Sequence, residues 1–369
     1  MIRVLHLRSG SGLYGADRVV LALAAATGPP FETLIGAIVR PEERGELFVE
    51  AQRRGLRVIR FPSGKRLDLR CARAIAVEAA RAHVGLIHAH DFKSLFHALI
   101  AALRLRVPVV ATYHGETRSS LRVRAYEIFA RLLGNFTARS MVVSRTLERS
   151  LQRFILRAPI SYVPNGLPAS APCSEGERLE ARQRLGLEPD ETVLAVVGRL
   201  SPEKGHAVLL EALRTLSPCP AVLFAGDGPL RAELEARAKG LPVQFLGYLE
   251  NVRQIYAACD AVLLPSLREG LPLTALEACG HGRALIASAV GELPVVLAGG
   301  AGVLLPPGDS EALRATLKAL DRPALQRLAE RALLRSRDYG VEAMAGEYAR
   351  LYLLASSEAR AALRESPSR

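Results

Sequence analysis

Tryptophan is absent from the 369 residues, and tyrosine and phenylalanine together supply 19 aromatics. None of these interleaves a basic stripe in the way single-strand nucleic-acid binders need, so positive charge by itself does not make this chain one. Cysteine is scarce as well. Cys71, Cys173, Cys219, Cys259 and Cys279 are odd in number and form no C-x-x-C pair, which favours buried thiols in a reducing compartment over disulfides or zinc. No D-x-D occurs among the nine aspartates. A spanning helix needs about 20 apolar residues, and the nearest candidate, Ala284 to Pro307, carries Glu292, Pro294 and four glycines. That stretch reads as loops and short strands. The apolar run after Arg3 ends at Arg8, too soon for a signal peptide, and no low-complexity block or short-period repeat appears. These absences place the chain in the cytoplasm, with peripheral attachment to the inner face of the membrane left open.

What is present is globular: 49% apolar and 23% charged residues, in a length beyond what one core usually holds, so two domains are expected. The charge is lopsided. Residues 1–166 hold 26 Lys and Arg against 12 Asp and Glu, net +14, while residues 167–369 come to −2. A half so basic attracts phosphate-bearing partners or an anionic bilayer surface, or simply stays soluble. Short apolar runs alternate with amphipathic segments throughout, the pattern of parallel sheets covered by helices. Strands are expected at Ile2–Leu7, Leu34–Val39, Val58–Phe61, Gly85–His88, Val109–Tyr113, Ser140–Val143 and Ser161–Val163. A Pro- and Gly-rich linker starts at Pro164. A second set of strands follows at Val193–Val197, Ala221–Ala225, Val243–Leu246, Ala261–Leu264 and Ala284–Ala287, and the chain ends in a helix from about Glu342 to Leu363. The expected fold is α/β, with two doubly wound domains facing across a cleft, residues 1–166 and residues 167–341. Ligands in such sheets bind at the carboxyl ends of the strands.

Several segments at those ends carry chemistry. Gly10-Ser11-Gly12-Leu13-Tyr14-Gly15 satisfies G-x-G-x-x-G ahead of a helix, where backbone N–H groups can approach a pyrophosphate. A nicotinamide enzyme also needs an acidic residue about 20 positions on, and the second strand ends instead in Arg40. In the second half, Gly198, Arg199 and Lys204 lie between a strand and a helix, a forked donor and a point charge suited to a diphosphate. Gly226 and Gly228 form a sharp turn at a strand end. The segment from Ser266 to Ala278 places Glu269 and Gly270 in the loop after a strand. Leu271, Pro272, Leu273 and Thr274 then open a helix whose free N–H groups can meet a phosphate, and Glu277 follows two turns on. Read alone, two carboxylates eight apart are as often surface residues. His88, His90 and Asp91 have the look of metal ligands, yet sit at a strand end where core or cleft hydrogen bonding is the commoner role. His114 ends another strand beside Gly115.

The order G-L-Y-G-A-D-R-V-V, H-A-H-D, T-Y-H-G, V-V-S-R, V-P-N-G, V-G-R-L-S-P-E-K-G, A-G-D-G-P-L, E-G-L-P-L-T-A-L-E-A and L-L-P-P-G-D resembles the family-4 retaining glycosyltransferases of GT-B fold (glycosyl transferases group 1), over about residues 2 to 320. The resemblance implies a retaining hexosyltransferase-type enzyme that uses a nucleoside-diphosphate-sugar, requires no metal or other cofactor, and serves cell-surface polysaccharide or glycolipid synthesis on a glycan or lipid-linked acceptor. It implies that Arg199 and Lys204 bind the diphosphate, Glu277 the ribose, and Glu269 the region of the donor sugar. Gly15 would belong to a loop closing over the diphosphate, and His114 would contact the transferred sugar; both domains would be Rossmann-like, and the C-terminal helix (342–369) would cross back onto the first. The chain departs from the family where Gly291-Glu292-Leu293-Pro294-Val295 lacks a second glycine and has Val295 in place of a usual Glu, and where Ala284 replaces a frequent proline.

A non-catalytic nucleotide-sugar binder of the same fold is the alternative that the altered loop permits; a nicotinamide enzyme explains nothing in residues 198–277. The basic stretch from Arg118 to Arg157 suggests a helix from about Ser119 to Leu133 with an apolar stripe and an arginine flank of Arg118, Arg122, Arg124 and Arg131. That face is either ordinary solvated surface or a site for anionic lipid.

Overall fold

The computed structural model describes residues 1–10, 12–115 and 121–365, without the side chains of 121–124, 360 and 362–365. The chain divides into two compact units, Met1–Pro168 with Val341–Arg369, and Ala169–Gly340.

The first unit is built on β1 (Ile2–Ser9), α1 (Gly15–Ala26), β2 (Phe31–Val39), α2 (Glu46–Arg53), β3 (Val58–Pro62), α3 (Leu69–Arg81) and β4 (Val84–Ala89). It continues through α4 (Phe92–Leu105), β5 (Val109–Tyr113), α5 (Leu121–Leu133), β6 (Arg139–Val142), α6 (Arg145–Leu151) and β7 (Ile160–Tyr162). The strands pair in parallel in the order β3-β2-β1-β4-β5-β6-β7. The centres of β1 (Val4–Leu7) and β4 (Leu86–Ala89) are buried on both faces, so their sequences show no strict alternation of apolar and polar residues. Helices start where carboxylates meet orphan N–H groups. Asp68 accepts from the amides of Arg70 and Cys71 to open α3, and Asp91 accepts from that of Ser94 to open α4.

The second unit has α7 (Glu175–Leu185), β8 (Val193–Val197), α8 (His206–Arg214), β9 (Ala221–Ala225), α9 (Arg231–Arg237), β10 (Val243–Gly247) and α10 (Arg253–Ala258). After these come β11 (Ala261–Leu264), α11 (Leu273–Gly280), β12 (Ala284–Ser288), α12 (Leu293–Val296), β13 (Val303–Leu305), α13 (Ser310–Ala319) and α14 (Arg322–Ser336). Its parallel sheet runs β10-β9-β8-β11-β12-β13. β13 is the strand that the sequence pattern does not signal; three residues bounded by Gly302 and Pro306 are too short to show a period. The last helix, α15 (Val341–Glu365), returns to the first unit. Tyr348 and Tyr352 on it are buried there, with hydroxyls 3.0 Å from Thr112 Oγ1 and 2.7 Å from His88 Nδ1.

Arg182 on α7 ties the second unit together although it is 1% exposed. Its guanidinium donates to Asp260 at 2.9 Å and to the carbonyls of Ala258, Glu188, Pro189 and Glu191. Asp260 also accepts from the Val193 amide at the start of β8. Arg182→Met removes the donor and leaves a carboxylate and four carbonyls behind. A loss of about 3–5 kcal/mol is expected, measured as a lower urea midpoint for the second unit's unfolding.

Candidate functional site

In the second unit the strand order reverses between β8 and β11, and the loops after these strands and after β9 are laid directly on one another. Glycine makes the contact possible. Gly226 has φ +150°, and a Cβ there would lie 1.8 Å from the Gly198 carbonyl oxygen; a Cβ on Gly228 would lie 2.3 Å from that of Leu200. The Leu200 amide donates to the Asp227 carbonyl at 2.9 Å. Gly198 itself takes φ +145°. Gly205 has φ +63°, and a Cβ there would lie 2.0 Å from the Pro265 carbonyl oxygen, so the turn that carries Lys204 rests on the exit of β11. The amide of Leu267 closes the same seam on the Glu203 carbonyl at 2.8 Å.

Across that seam Lys204 Nζ meets Glu269 Oε1 at 2.5 Å, and Ser266 Oγ donates to the same oxygen at 2.8 Å. Glu269 is held from the other side by the loop after β12. There Gly291 has φ +59°, a Cβ on it would lie 2.4 Å from the Gly270 carbonyl oxygen, and the Glu292 amide donates to that oxygen at 2.8 Å. The one glycine this loop retains is therefore the one the close approach needs. Val295, where the family usually has Glu, is exposed on α12. Arg199 stands exposed just after Gly198.

Leu271, Pro272 and Leu273 are buried at the start of α11. Pro272 is the capping position here, one residue before the first turn. Thr274 pins that turn to the end of β8 by donating to the Val197 carbonyl at 3.1 Å. Glu277 lies buried on the same helix, and Tyr256 on α10 donates its hydroxyl to Oε2 at 2.6 Å. Sequence reasoning missed Tyr256 and the role of Ser266. Neither has a local signal, since one is an aromatic in a helix and the other a serine after a strand.

Gly15 and His114 belong to the first unit. Gly15 opens α1 and is exposed. The glycine loop before it is tied down by carboxylates: the Tyr14 amide donates to Asp17 at 2.9 Å and the Leu13 amide to Glu46 at 2.7 Å, while Ser11 lies outside the described residues. Arg8 bridges Asp17 at 2.8 Å and the His90 carbonyl at 3.1 Å.

His114 follows β5, and its Nε2 lies 3.2 Å from Nδ1 of His90, whose Nε2 lies 3.1 Å from Nδ1 of His6. His6 gave no signal in the sequence, being one more residue of an apolar strand. Burial pushes His6 and His114 down to about 3 and holds His88 and His90 well below the usual imidazole range. The four rings are thus neutral at physiological pH. Asp91 is not part of this group of rings; it caps α4 and binds Ser9. His6, His88 and His90 each offer a ring nitrogen within 4.8 Å of the others. Both nitrogens of His88 are already engaged, with Tyr352 and Thr112 at 2.7 Å each, so a cation there would have to break an existing network.

Of the expected arginine flank only Arg131 has a described side chain. Arg118 lies outside the described residues, as do the side chains of Arg122 and Arg124. Arg131 is buried with its guanidinium 4.8 Å from the Phe154 ring centre. Among the described side chains of α5 and its surroundings, Ile128, Phe129 and Leu132 are exposed, with Phe136 and Leu156 beyond, beside exposed Arg149, Arg153 and Arg157.

A sequence profile of glycosyl transferases group 1 matches residues 191–321, and one of glycosyltransferase family 4 matches residues 15–170. The chain is 32% identical over 302 residues to a D-inositol 3-phosphate glycosyltransferase of Mycolicibacterium vanbaalenii, covering 72% of this chain and 66% of that protein. It is 29% identical over 271 residues to the sulfoquinovosyl transferase SQD2 of Arabidopsis thaliana, covering 69% and 53%. The chain thus spans between about half and two thirds of the length of these curated relatives. Among solved structures, HepE of Anabaena in complex with UDP-glucose superimposes with a TM-score of 0.84 at 22% identity, over 95% of this chain and 99% of that one. WaaG, a glycosyltransferase involved in lipopolysaccharide biosynthesis, does so at 0.73 and 17%, over 95% and 99%. These likenesses establish two Rossmann-like domains of GT-B type.

The neutral histidines tie stability to pH. An unfolded histidine titrates near 6.5, so below that pH the unfolded chain binds protons that the folded one refuses. Stability is full above about pH 6.5. As pH falls towards 3 it is lost by up to about 1.4 kcal/mol per pH unit for each ring. Thermal unfolding of the first unit should therefore drop steeply between pH 6.5 and 5, and less steeply in His6→Phe. An equal Tm at both values would show that the rings are charged in the fold.

Proposed function

Because this chain belongs to the family-4 glycosyltransferases of glycosyl transferases group 1, we propose that it moves a sugar from a nucleoside-diphosphate-sugar to an acceptor with retention at the anomeric carbon, without a metal. The observation that carries this reading is the Lys204–Glu269 pair at 2.5 Å, strapped across the loops after β8 and β11 and set beside the first turn of α11. Lys204 and Arg199 hold the diphosphate there, with the free N–H groups of α11 facing its charge. As the bond to the sugar breaks, charge grows on the departing phosphate, and these preorganised donors stabilise it with little rearrangement. Glu269, within reach of Lys204, lies towards the donor sugar and balances the cationic side chain until the diphosphate arrives. Glu277, oriented by Tyr256, accepts from the ribose hydroxyls. The acceptor attacks from the face the diphosphate leaves, and the phosphate oxygen takes its proton. Gly15 brings backbone N–H groups to the diphosphate, and His114, being neutral, meets the sugar as a hydrogen-bonding group and not as a cation.

HepE holds UDP-glucose in its crystals, which makes that compound the first donor to test. One relative is named for D-inositol 3-phosphate and WaaG for lipopolysaccharide biosynthesis, so a phosphorylated polyol and a lipid-linked glycan are the acceptors to test. Release of free nucleoside diphosphate in the presence of acceptor separates an enzyme from a binder. Lys204→Ala should lower turnover by about 10²–10³-fold, the cost of one preorganised donor, while excess EDTA leaves the wild-type rate unchanged. A variant within a few-fold of wild type removes Lys204 from the site, and loss restored by magnesium or manganese overturns the metal-free reading.

Access to a lipid-linked acceptor is the role proposed for the basic first unit. No helix among the described residues is long and apolar enough to cross a membrane, so contact would be peripheral. Each Lys or Arg near an anionic surface adds about 1 kcal/mol, and the exposed side chains of Phe136 and Leu156 would enter the interface. Sedimentation with vesicles should rise with anionic lipid, fall with salt, and weaken when Arg149, Arg153 and Arg157 become Gln. Equal recovery with neutral and anionic vesicles rejects the contact.

A further inference from the structure

A cavity of about 240 Å³ opens at the amino ends of β1, β4 and β5, the opposite edge of the first unit's sheet from His114 and the glycine loop. α15 closes one side of it with Ser356 and Ala359. Arg3, His83 and Arg106 lie on its wall, and no described Asp or Glu does. Arg3 is fixed there, since its Nε donates to Glu32 at 2.7 Å and its Nη1 to the Ala82 carbonyl at 2.9 Å; Nη2 is left over among the described residues. The side chains of His83 and Arg106 are exposed and have no partner among the described residues. Ser356 is buried, and its hydroxyl has no hydrogen-bond partner among them either. A hydroxyl turns about χ1 between staggered positions, so a bound oxygen can draw it round.

The backbone at the same place is unusual. Among the described residues, His83 and Arg106 are the two non-glycine positions with positive φ, at +51° and +54°. Each follows a helix: His83 comes after the cap of α3, and Arg106 directly after α4. A helix that ends in a left-handed residue usually has glycine there, because a Cβ crowds the neighbouring carbonyl. Gly186, at φ +68°, ends α7 in that way. At the two helix ends that flank the cavity, the chain instead carries an arginine and a histidine, against the local backbone preference. Complementing the helix dipoles does not require this, since Arg81 and Arg104 are basic residues in the last turns of α3 and α4. Departures from a local rule of this kind cluster at sites where a side chain meets a ligand.

We infer that this cavity is an anion site of the first unit, which takes the phosphate group of a small ligand between the guanidinium groups of Arg3 and Arg106, with His83 beside them. Arginine presents a fork of donors that matches phosphate oxygens. A phosphate group points its oxygens in several directions, which suits donors that arrive from β1, from two helix ends and from α15; a carboxylate is planar and points fewer. At about 240 Å³ the cavity is smaller than the roughly 300–1,000 Å³ that drug-sized ligands occupy, so the ligand is inorganic phosphate or a small phosphomonoester, not a nucleotide. The site belongs to the first unit alone and does not depend on the function proposed above. By joining β1, the two helix ends and α15, whose Tyr348 and Tyr352 already bind the same sheet, the bound anion fastens the returning helix to its unit.

Histidine NMR of the full chain reads the site where it lies. The ring Cε1–H resonance of His83, assigned through His83→Gln, should shift saturably on addition of inorganic phosphate or glycerol phosphate, and not with chloride at equal ionic strength. The tighter of the two probes names the source of the phosphate. The shift should persist in Lys204→Ala, which removes the lysine proposed to bind diphosphate in the second unit. In Arg106→Gly the dissociation constant should rise at least about ten-fold, the scale of one charge-assisted hydrogen bond. That variant also separates ligand from fold. Because glycine suits φ +54°, unliganded Arg106→Gly should melt at or above the wild-type Tm, while the rise in Tm that phosphate gives the wild type is lost. If Arg106→Gly does not fold, Arg106→Asn takes its place, since asparagine also tolerates left-handed backbone. A His83 resonance that phosphate leaves in place, or that chloride moves equally, overturns the inference. So does a phosphate response that survives unchanged in the folded Arg106 variant, which would leave Arg106 a part of the fold alone.

Discussion

The close approach of backbone at Gly205 and Pro265 is the constraint on which the second unit's site depends. A lysine and a glutamate 65 positions apart in sequence meet at 2.5 Å because the turn bearing one lies directly on the loop bearing the other. No side chain fits between them: a Cβ at Gly205 would sit 2.0 Å from the Pro265 oxygen. Gly226 and Gly291 do the same for the neighbouring loops, so the glycines here make space for contacts between backbones more than they supply turns. Once the loops are stacked, the polar groups at the carboxyl ends of β8, β9, β11 and β12 converge by construction.

The first unit organises its site by another physical route. Its candidate residue, His114, stands at the end of a chain of uncharged rings, and desolvation rather than ion pairing sets their state. Around them the charges are paired at the loop ends, where Arg8 joins Asp17 and Asp91. α15 completes the arrangement from within the same unit, since Tyr348 and Tyr352 supply the hydroxyls that occupy Thr112 and His88. One unit thus concentrates charge at its candidate site, and the other keeps the rings behind its candidate residue uncharged.

Much of the fold was legible before any coordinates. The strands at Val109–Tyr113, Val193–Val197 and Ala261–Leu264 coincide with their apolar runs because a strand buried on both faces needs nothing but apolar residues. β13 was not legible, nor was Pro272 as a cap instead of a first-turn residue, since boundaries depend on which amide finds a partner. The arginine flank expected on α5 failed at Arg131 for a related reason: helical spacing says which residues share a face, but the ring of Phe154, from a later segment, draws that guanidinium inward.

The sequence by itself determined the class of the protein. Alternating apolar and amphipathic segments dictate parallel sheets, and the spaced motifs around Arg199, Lys204, Glu269, Glu277 and His114 mark the strand ends, because both signals are local and survive without knowing what packs where. Only the tertiary structure decided which partners those residues have. Ser266 and Lys204 on Glu269, Tyr256 on Glu277, and His6 behind His90 and His114 come from elements that are adjacent in space and, for the most part, distant along the chain. Hydrogen-bond partners and burial set the protonation and direction of a polar group, and both are properties of packing that residue order does not carry.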